Sequence, residues 1–403
     1  MKRILLIVPY GSVGGMERLA FSFYTFLKAK GHYVKALKLM KLDNDIIHFG
    51  GDELFLSKKD FHEMTKSQRA SFYINSIFKL RSLIKKHKIT HSISFGALPN
   101  IFSSLTFTKD CKIASIHALK SVELSNPSTL SKLTKLAYTS SYKNLDKVVC
   151  ISNAIKKDLI ENCNFKFEDK LEVIYNPHNF IEIETKAELP ITSVDELALF
   201  NSPTILFVGR LSAQKSPWHI INAFNFVVKE NPETKLIFIG DGDMRIQEYL
   251  EKLIKDYGLE QNIFFLGRKS NPYQYLSKAD VLILASHYEG TPNVIVEAIC
   301  LETPVVSSCC TDGIIELMSL KNINAPTKSF TEVEGGIITP NLFRGKLGIP
   351  TTNDAQYEEK ILANALLHAL KSDNIKERIR KNKSRLLEKF DIEKVVDSYL
   401  KEV

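Results

Sequence analysis

The chain reads as an α/β protein built from two Rossmann-like, doubly wound domains in tandem. Short apolar runs alternate with longer amphipathic stretches along its whole length, the order that parallel strands joined by crossover helices produce. Glycines close several of those runs, at Gly14-Gly15, Gly209, Gly240 and Gly242, where a strand must turn sharply into a loop. A length of 403 residues also exceeds what one ordinary core organises.

In the first half, strands are expected over 3–8, 33–39, 90–95, 111–117 and 146–151. The run over 3–8 is β-favouring and is closed by Pro9 and Gly11. A helix over 16–30 ends at Gly31, a residue suited to the left-handed turn after a helix. The helix over 66–88 sets Phe72, Ile77, Phe78, Leu80 and Ile84 among Arg69, Lys79, Arg81, Lys85, Lys86 and Lys88, and a second basic helix is expected over 127–143. A turn-rich stretch over 176–202 precedes the second cycle, with strands over 203–208, 234–239, 262–266, 281–284, 303–307 and 336–339. Helices alternate with them over 217–230, 244–257, 272–276 and 357–371, 341–354 reads as loop, and one long charged helical stretch runs from about 374 to the end. Doubly wound sheets bind ligands beyond the carboxyl ends of their strands, so the cleft between two such domains is the expected site.

Composition narrows the class. The 44% hydrophobic and 25% charged content is that of a soluble globular protein. No apolar run approaches the roughly 18 residues of a membrane span. Lys2 and Arg3 precede an apolar run that Pro9, Gly11, Gly14 and Gly15 interrupt, which is a first strand rather than a signal peptide. Cys111, Cys150, Cys163, Cys300, Cys309 and Cys310 form no CxxC pair, so reduced thiols in a cytosolic protein are expected. The net charge of +8 is uneven: residues 1–150 hold 24 Lys and Arg against 10 Asp and Glu, the remainder 30 against 36. A basic half suits an anionic partner, a membrane surface or a nucleic acid, beside the plainer reading of scattered solvated lysines. No zinc spacing, RNP-like aromatic motif or helix-turn-helix pattern supports nucleic acid.

The most informative stretch is 286–298, Ser-His-Tyr-Glu-Gly-Thr-Pro-Asn-Val-Ile-Val-Glu-Ala, after the buried run 281–284. Thr291 suits a helix cap and Pro292 the first helical position. Strand, tight loop and helix N-terminus together make an anion site. Glu289 and Glu297 bracket it, eight residues apart, which on a continuous helix is about 80° of rotation. Arg210 and Lys215 follow another strand end, a fixed fork and a mobile point charge near one place.

With these come Val208-Gly209-Arg210-Leu211, Gly240-Asp241-Gly242, Gly14-Gly15-Met16-Glu17-Arg18, Cys150-Ile151-Ser152 and Tyr175-Asn176-Pro177. In this order and at these separations the set resembles the family-4 retaining glycosyltransferases of GT-B fold, over nearly the whole chain. The pieces 271–275, 289–294 and 312–316 resemble bacterial transferases that build surface polysaccharide or lipid-linked oligosaccharide. The resemblance implies two Rossmann-like domains facing across a cleft: an acceptor-binding domain over 1–185, a nucleotide-sugar domain over 186–373, and a helix over 374–403 packing back on the first.

It further implies that Arg210 and Lys215 hold the diphosphate, Glu297 the ribose, and Glu289 the donor sugar near its anomeric centre. Gly209, Gly242, Gly290, Thr291, Asn293 and Val294 then line the donor, in part through backbone N–H groups, and Gly14 and Gly15 approach it from the other domain. His117 falls near the donor sugar and Arg268 where the nucleobase is read. Glu289, His117, Arg210 and Lys215 form the implied catalytic set. Asp43-Asn44-Asp45 and Asp241-Gly242-Asp243 fit the short Asp-x-Asp metal string, but two cations can neutralise a diphosphate, so no metal and no cofactor are expected. The implied donor is a nucleotide sugar, UDP favoured, carrying a hexose or N-acetylhexosamine; the acceptor is lipid-linked or a glycan. The basic, amphipathic helices suggest an anionic membrane surface and a peripheral place at the inner face of the cytoplasmic membrane. A UDP-sugar 2-epimerase on the same fold, or a non-enzymatic binder of anionic lipid or nucleic acid, are the competing readings.

Overall fold

A computed structural model of the chain describes residues 1–10, 15–43, 45–125, 128–351 and 356–401. It divides into two compact units, Met1–His178 with Lys389–Val403, and Asn179–Glu388. The first unit carries a seven-stranded sheet of β1 (Arg3–Val8), β2 (Tyr33–Met40), β3 (Glu53–Ser57), β4 (His91–Phe95), β5 (Cys111–Ile116), β6 (Lys147–Cys150) and β7 (Leu171–Val173). Their order is β3-β2-β1-β4-β5-β6-β7 and every pairing is parallel. Parallel strands are covered on both faces, so they read as unbroken apolar runs. In β1 the alternation survives inside that run: Ile4, Leu6 and Val8 pack with Leu19, Phe23, Leu27, Val395 and Tyr399, whereas Leu5 and Ile7 pack with Leu80, Ile84 and Phe102 on the other face.

The second unit repeats the plan with β8 (Thr204–Val208), β9 (Lys235–Ile239), β10 (Ile263–Phe265), β11 (Val281–Leu284), β12 (Val305–Ser308), β13 (Thr331–Val333) and β14 (Gly336–Thr339), in the order β10-β9-β8-β11-β12-β14-β13. One strand departs from the all-parallel expectation. β13 runs antiparallel to β14 through the two residues Glu334 and Gly335, a hairpin too short to leave a periodic signal. In both sheets the winding reverses between the first and fourth strands, β1/β4 and β8/β11, and the carboxyl ends flanking such a reversal are where ligands bind in open α/β sheets.

Several expected boundaries move. The basic helix expected over 127–143 is Thr129–Thr139 followed by a 3-10 turn, Ser141–Asn144; Pro127 lies outside the described residues. The C-terminal stretch is not one helix. Asp373–Leu387 stays in the second unit, where Arg380 pairs with Glu302 at 2.9 Å and Lys383 with Glu184 at 2.7 Å. A 3-10 turn, Glu388–Phe390, follows, and Asp391 then caps the helix Ile392–Leu400, which belongs to the first unit. The chain therefore leaves the first unit at His178 rather than 185 and re-enters it at Lys389 rather than 374.

Candidate functional site

The reversal point of the second unit is lined by the residues that follow β8 and β11. After β8 the chain turns at Gly209, and Ser216 enters the helix Pro217–Glu230 with a left-handed φ of +39°. The Ser216 Oγ donates to Ala285 O at 2.5 Å, joining this loop to the one after β11. Two further bonds lace them: His287 N–H to Gln214 O at 2.8 Å and Gln214 Nε2 to Tyr288 O at 3.0 Å. That lacing brings Lys215 and Glu289 together. The Lys215 ammonium pairs with Glu289 Oε1, which also accepts from Ser286 Oγ at 2.8 Å. Both bonds fall on one oxygen of a buried carboxylate, which leaves Oε2 without a protein partner among the described residues. Arg210 stands exposed at the end of β8, with no ion pair among the described residues.

Backbone proximity explains two of the predicted glycines. A Cβ on Gly240 would lie 1.9 Å from Gly209 O, and one on Gly242 2.1 Å from Leu211 O. Bonds from Leu211 N to Asp241 O (2.9 Å) and from Asp243 N to Leu211 O (3.0 Å) hold the loops after β8 and β9 that close. Gly242 thus meets a structural demand, not yet a ligand. Arg268, half exposed, pairs with Asp241 Oδ1 at 3.0 Å across the same loops.

The helix after Glu289 differs from expectation at its start. It runs Asn293–Cys300, and Pro292, with an extended ψ of 110°, is the cap residue itself; Ile295 N–H bonds to its carbonyl at 3.1 Å. Thr291 is therefore not the cap. Among the described residues its buried Oγ1 has no partner, and neither does Thr311 Oγ1 on the neighbouring loop. That loop sits close because Gly313 allows it: a Cβ there would lie 2.4 Å from Gly290 O. Asn293 and Val294, half-buried, open the helix, and on its second turn Glu297 accepts from Tyr273 OH at 3.4 Å. Burial and the Glu289 carboxylate push the Cys310 thiol well above its usual range, so it stays protonated beside the pair.

The remaining predicted residues belong to the first unit. His117 follows β5, with a buried Nε2 that has no hydrogen-bond partner among the described residues. Burial, aided by the Lys120 charge, pushes its pKa down to about 3, so the ring is a neutral donor or acceptor and not a cation. Gly15 begins the helix Gly15–Ala29; Gly14 lies outside the described residues. Three of the four aspartates in the Asp-x-Asp strings are in ion pairs, Asp45 with Lys38 at 3.0 Å, Asp241 with Arg268, and Asp243 with Arg245 at 2.7 Å. Among the described residues no group of three His, Cys, Asp or Glu side chains is arranged to hold a metal. Sequence reasoning missed Gln214, Ser286, Tyr273, Cys310 and Gly313; Ser286, three residues before Glu289, was the one within reach of a local argument.

Two doubly wound units, with a cation–carboxylate pair at the reversal point of the second, define a GT-B protein. The chain belongs to the glycosyltransferases: residues 13–180 match the family described as Glycosyltransferase Family 4, and residues 194–325 that described as Glycosyl transferases group 1. It is 27% identical over 272 residues to an uncharacterized glycosyltransferase of Methanocaldococcus jannaschii, a match covering 67% of this chain and 66% of that protein. It is also 27% identical over 321 residues to N-acetylgalactosamine-N,N'-diacetylbacillosaminyl-diphospho-undecaprenol 4-alpha-N-acetylgalactosaminyltransferase of Campylobacter jejuni, covering 76% of this chain and 80% of that one. Among solved structures, Anabaena HepE in complex with UDP and glucose superposes with a TM-score of 0.72 at 17% identity, covering 99% of this chain and 98% of that one.

Proposed function

We propose that this protein transfers a hexose or N-acetylhexosamine from a UDP-linked donor to a lipid-linked or glycan acceptor, with retention of anomeric configuration. The observation that carries the reading is the buried Glu289, tied to Lys215 and Ser286 through Oε1 and open at Oε2, at the reversal point that Arg210 also flanks. A carboxylate oxygen held in this way suits a sugar hydroxyl, and two cations suit a diphosphate. The unpaired Thr291 and Thr311 hydroxyls suit further oxygen-rich groups. Glu297, with Tyr273 beside it, is assigned to the ribose, and Arg268 to the neighbourhood of the base. The similarity to a transferase named for an undecaprenol-linked acceptor, and to a fold solved with UDP and glucose, supports the same chemistry.

In the proposed reaction the bond between the anomeric carbon and the UDP oxygen breaks as the acceptor oxygen bonds to that carbon from the same face. The departing phosphate takes the acceptor's proton. Arg210 and Lys215 stabilise the leaving group, Glu289 orients the sugar, and His117, being neutral, serves as a hydrogen-bonding group from the first unit. No metal is assigned a part. A membrane surface is the proposed place of work: the first unit holds 31 Lys and Arg against 19 Asp and Glu, the second 23 against 27.

The test is release of UDP from a panel of UDP-hexoses and UDP-N-acetylhexosamines, stimulated by a bacterial membrane lipid extract and run with and without chelator. Glu289→Ala and Arg210→Ala should each lower turnover at least about 100-fold, the scale of a lost transition-state donor. Near-full activity in either variant overturns its assignment, and loss of turnover in chelator overturns the metal-free route.

A further inference from the structure

Behind the Glu289 loop lies a buried polar chain that no part of the proposed chemistry uses. Glu359, in the first turn of the helix Tyr357–Lys371, accepts Gln356 N–H on Oε2 at 2.7 Å. Its Oε1 accepts Asn222 Nδ2 at 2.8 Å and meets His219 Nδ1 at 2.6 Å. The other nitrogen of His219 meets His287 Nε2 at 3.1 Å. Asn222 in turn accepts from Tyr257 OH at 3.1 Å. His219, Asn222, His287 and Glu359 are all buried, and the rings of Trp218 and Phe343 flank His287 at 5.8 and 5.0 Å.

A carboxylate oxygen accepts, so His219 Nδ1 donates to Glu359, and one of the two facing Nε2 atoms donates to the other. His287 Nδ1 has no hydrogen-bond partner among the described residues. Two imidazoles thus link the loop to a buried carboxylate by hydrogen bonds. Burial, with His219 alongside, lowers His287 to about 4, consistent with the neutral form. A leucine at 219 would fill an apolar helix face without the desolvation cost of a polar chain, so packing alone does not account for it.

What the chain grips is the backbone two residues before Glu289. Ala285 O, Ser286 O, His287 N and Tyr288 O are each bonded to a neighbouring loop or strand, by Ser216, Ser308, Gln214 O and Gln214 Nε2. The His287 side chain is the anchor of this segment that reaches into the core. We propose that Glu359, His219 and His287 are positioning residues that fix Glu289 against Lys215, and so govern turnover while leaving nucleotide binding untouched. The inference rests on the donor-site reading of Glu289. Misplacing a group that orients a reacting centre by about 1 Å can cost on the order of 100-fold, so a partial slackening is placed near tenfold.

The experiment is a double-mutant cycle of His219→Leu with Glu289→Gln, reading UDP release from the most active panel donor, and the dissociation constant of UDP alone. His219→Leu should lower kcat about tenfold in the parent and less than about twofold in the Glu289→Gln background, with UDP affinity within about twofold throughout. Glu359→Gln, which keeps an acceptor for His219, should show the same pattern with a smaller loss, and serves if His219→Leu fails to fold. Equal losses in both backgrounds, UDP affinity falling in step with kcat, or unchanged turnover in His219→Leu overturn the inference alone. Full turnover in Glu289→Gln by itself overturns the donor-site reading and this inference with it.

Discussion

Lys215 and Glu289 pair with one another at the reversal point of the second sheet, whereas Arg210 makes no ion pair among the described residues, so in the proposed reaction Arg210 would meet the diphosphate without first giving up a partner. These three residues were legible in the sequence because each follows a recognisable strand end within a local motif. The chain behind them was not: His219 and Glu359 are 140 positions apart, and nothing local marks either as a polar residue aimed into a core. Buried histidines also set the acid response. His117 is pushed down to about 3, and His178 and His287 to about 4, by burial first, with Lys120 and His219 adding at His117 and His287. Unfolded histidines titrate near 6.5. Between that value and 4 the unfolded chain therefore binds more protons than the folded one, so stability is full above about pH 6.5 and falls as the pH drops towards 4. Thermal unfolding followed from pH 7.5 to 5, above most carboxylate titrations, should show a steady decline in Tm below about 6.5. A flat profile would contradict the neutral, buried assignment.

At the scale of elements, the helix Lys66–Lys86 shows what periodicity conveys and where it stops. Phe72, Leu80 and Ile84 pack on the sheet as their spacing predicts. Ile74 and Phe78, one turn apart, do not; they are 60% and 65% exposed, on the helix stripe that also carries Arg81 and Lys85. Apolar side chains set in a cationic face suit an anionic bilayer interface. The pair Ile74→Ser and Phe78→Ser should weaken binding to phosphatidylglycerol-containing vesicles at least about tenfold, since each side chain contributes on the order of 1 kcal/mol or more when it leaves water. Flotation of the double variant at parent levels, or no binding by the parent, removes this surface. Strands such as β1, β8 and β11 were legible as continuous apolar runs, whereas the three-residue strands β7, β10 and β13 differ in how far context carried them. β10 sits within an expected run; β7 is an edge strand that pairs with β6 across the helix Asn153–Asn162, and β13 an edge strand whose antiparallel pairing with β14 turns on two residues, so neither leaves a run long enough to read.

For the whole molecule, the return of the last helix makes the first unit discontinuous in sequence. Val395, Val396, Tyr399 and Leu400 complete the core around Phe23 and Phe95, and the Tyr399 hydroxyl meets Ser115 Oγ at 2.9 Å. Ending the chain after Glu388 removes those side chains from the first unit and nothing from the second. Scanning calorimetry of that truncation should lose the first unit's transition, or lower it by more than about 10 °C, given several kcal/mol of lost burial. The transition that UDP raises should persist, because a ligand stabilises the unit that binds it. Loss of both transitions would show that the second unit does not stand without the first.

Alternating apolar runs, glycine-closed strand ends and the order of short motifs determined, from sequence alone, the doubly wound plan, the family, and the strand ends that carry Arg210, Lys215 and Glu289. Those signals are local, and each concerns residues within one turn or one strand of each other. Tertiary structure decided the rest: where the chain crosses back at Lys389, that Lys215 seats on Glu289, that Pro292 and not Thr291 caps the helix, and that Gly240 and Gly242 are demanded by backbones approaching within a Cβ's radius. It also decided that His287, His219 and Glu359 form one chain. Hydrogen bonds between side chains far apart in sequence depend on three-dimensional packing, which no periodicity along the chain encodes.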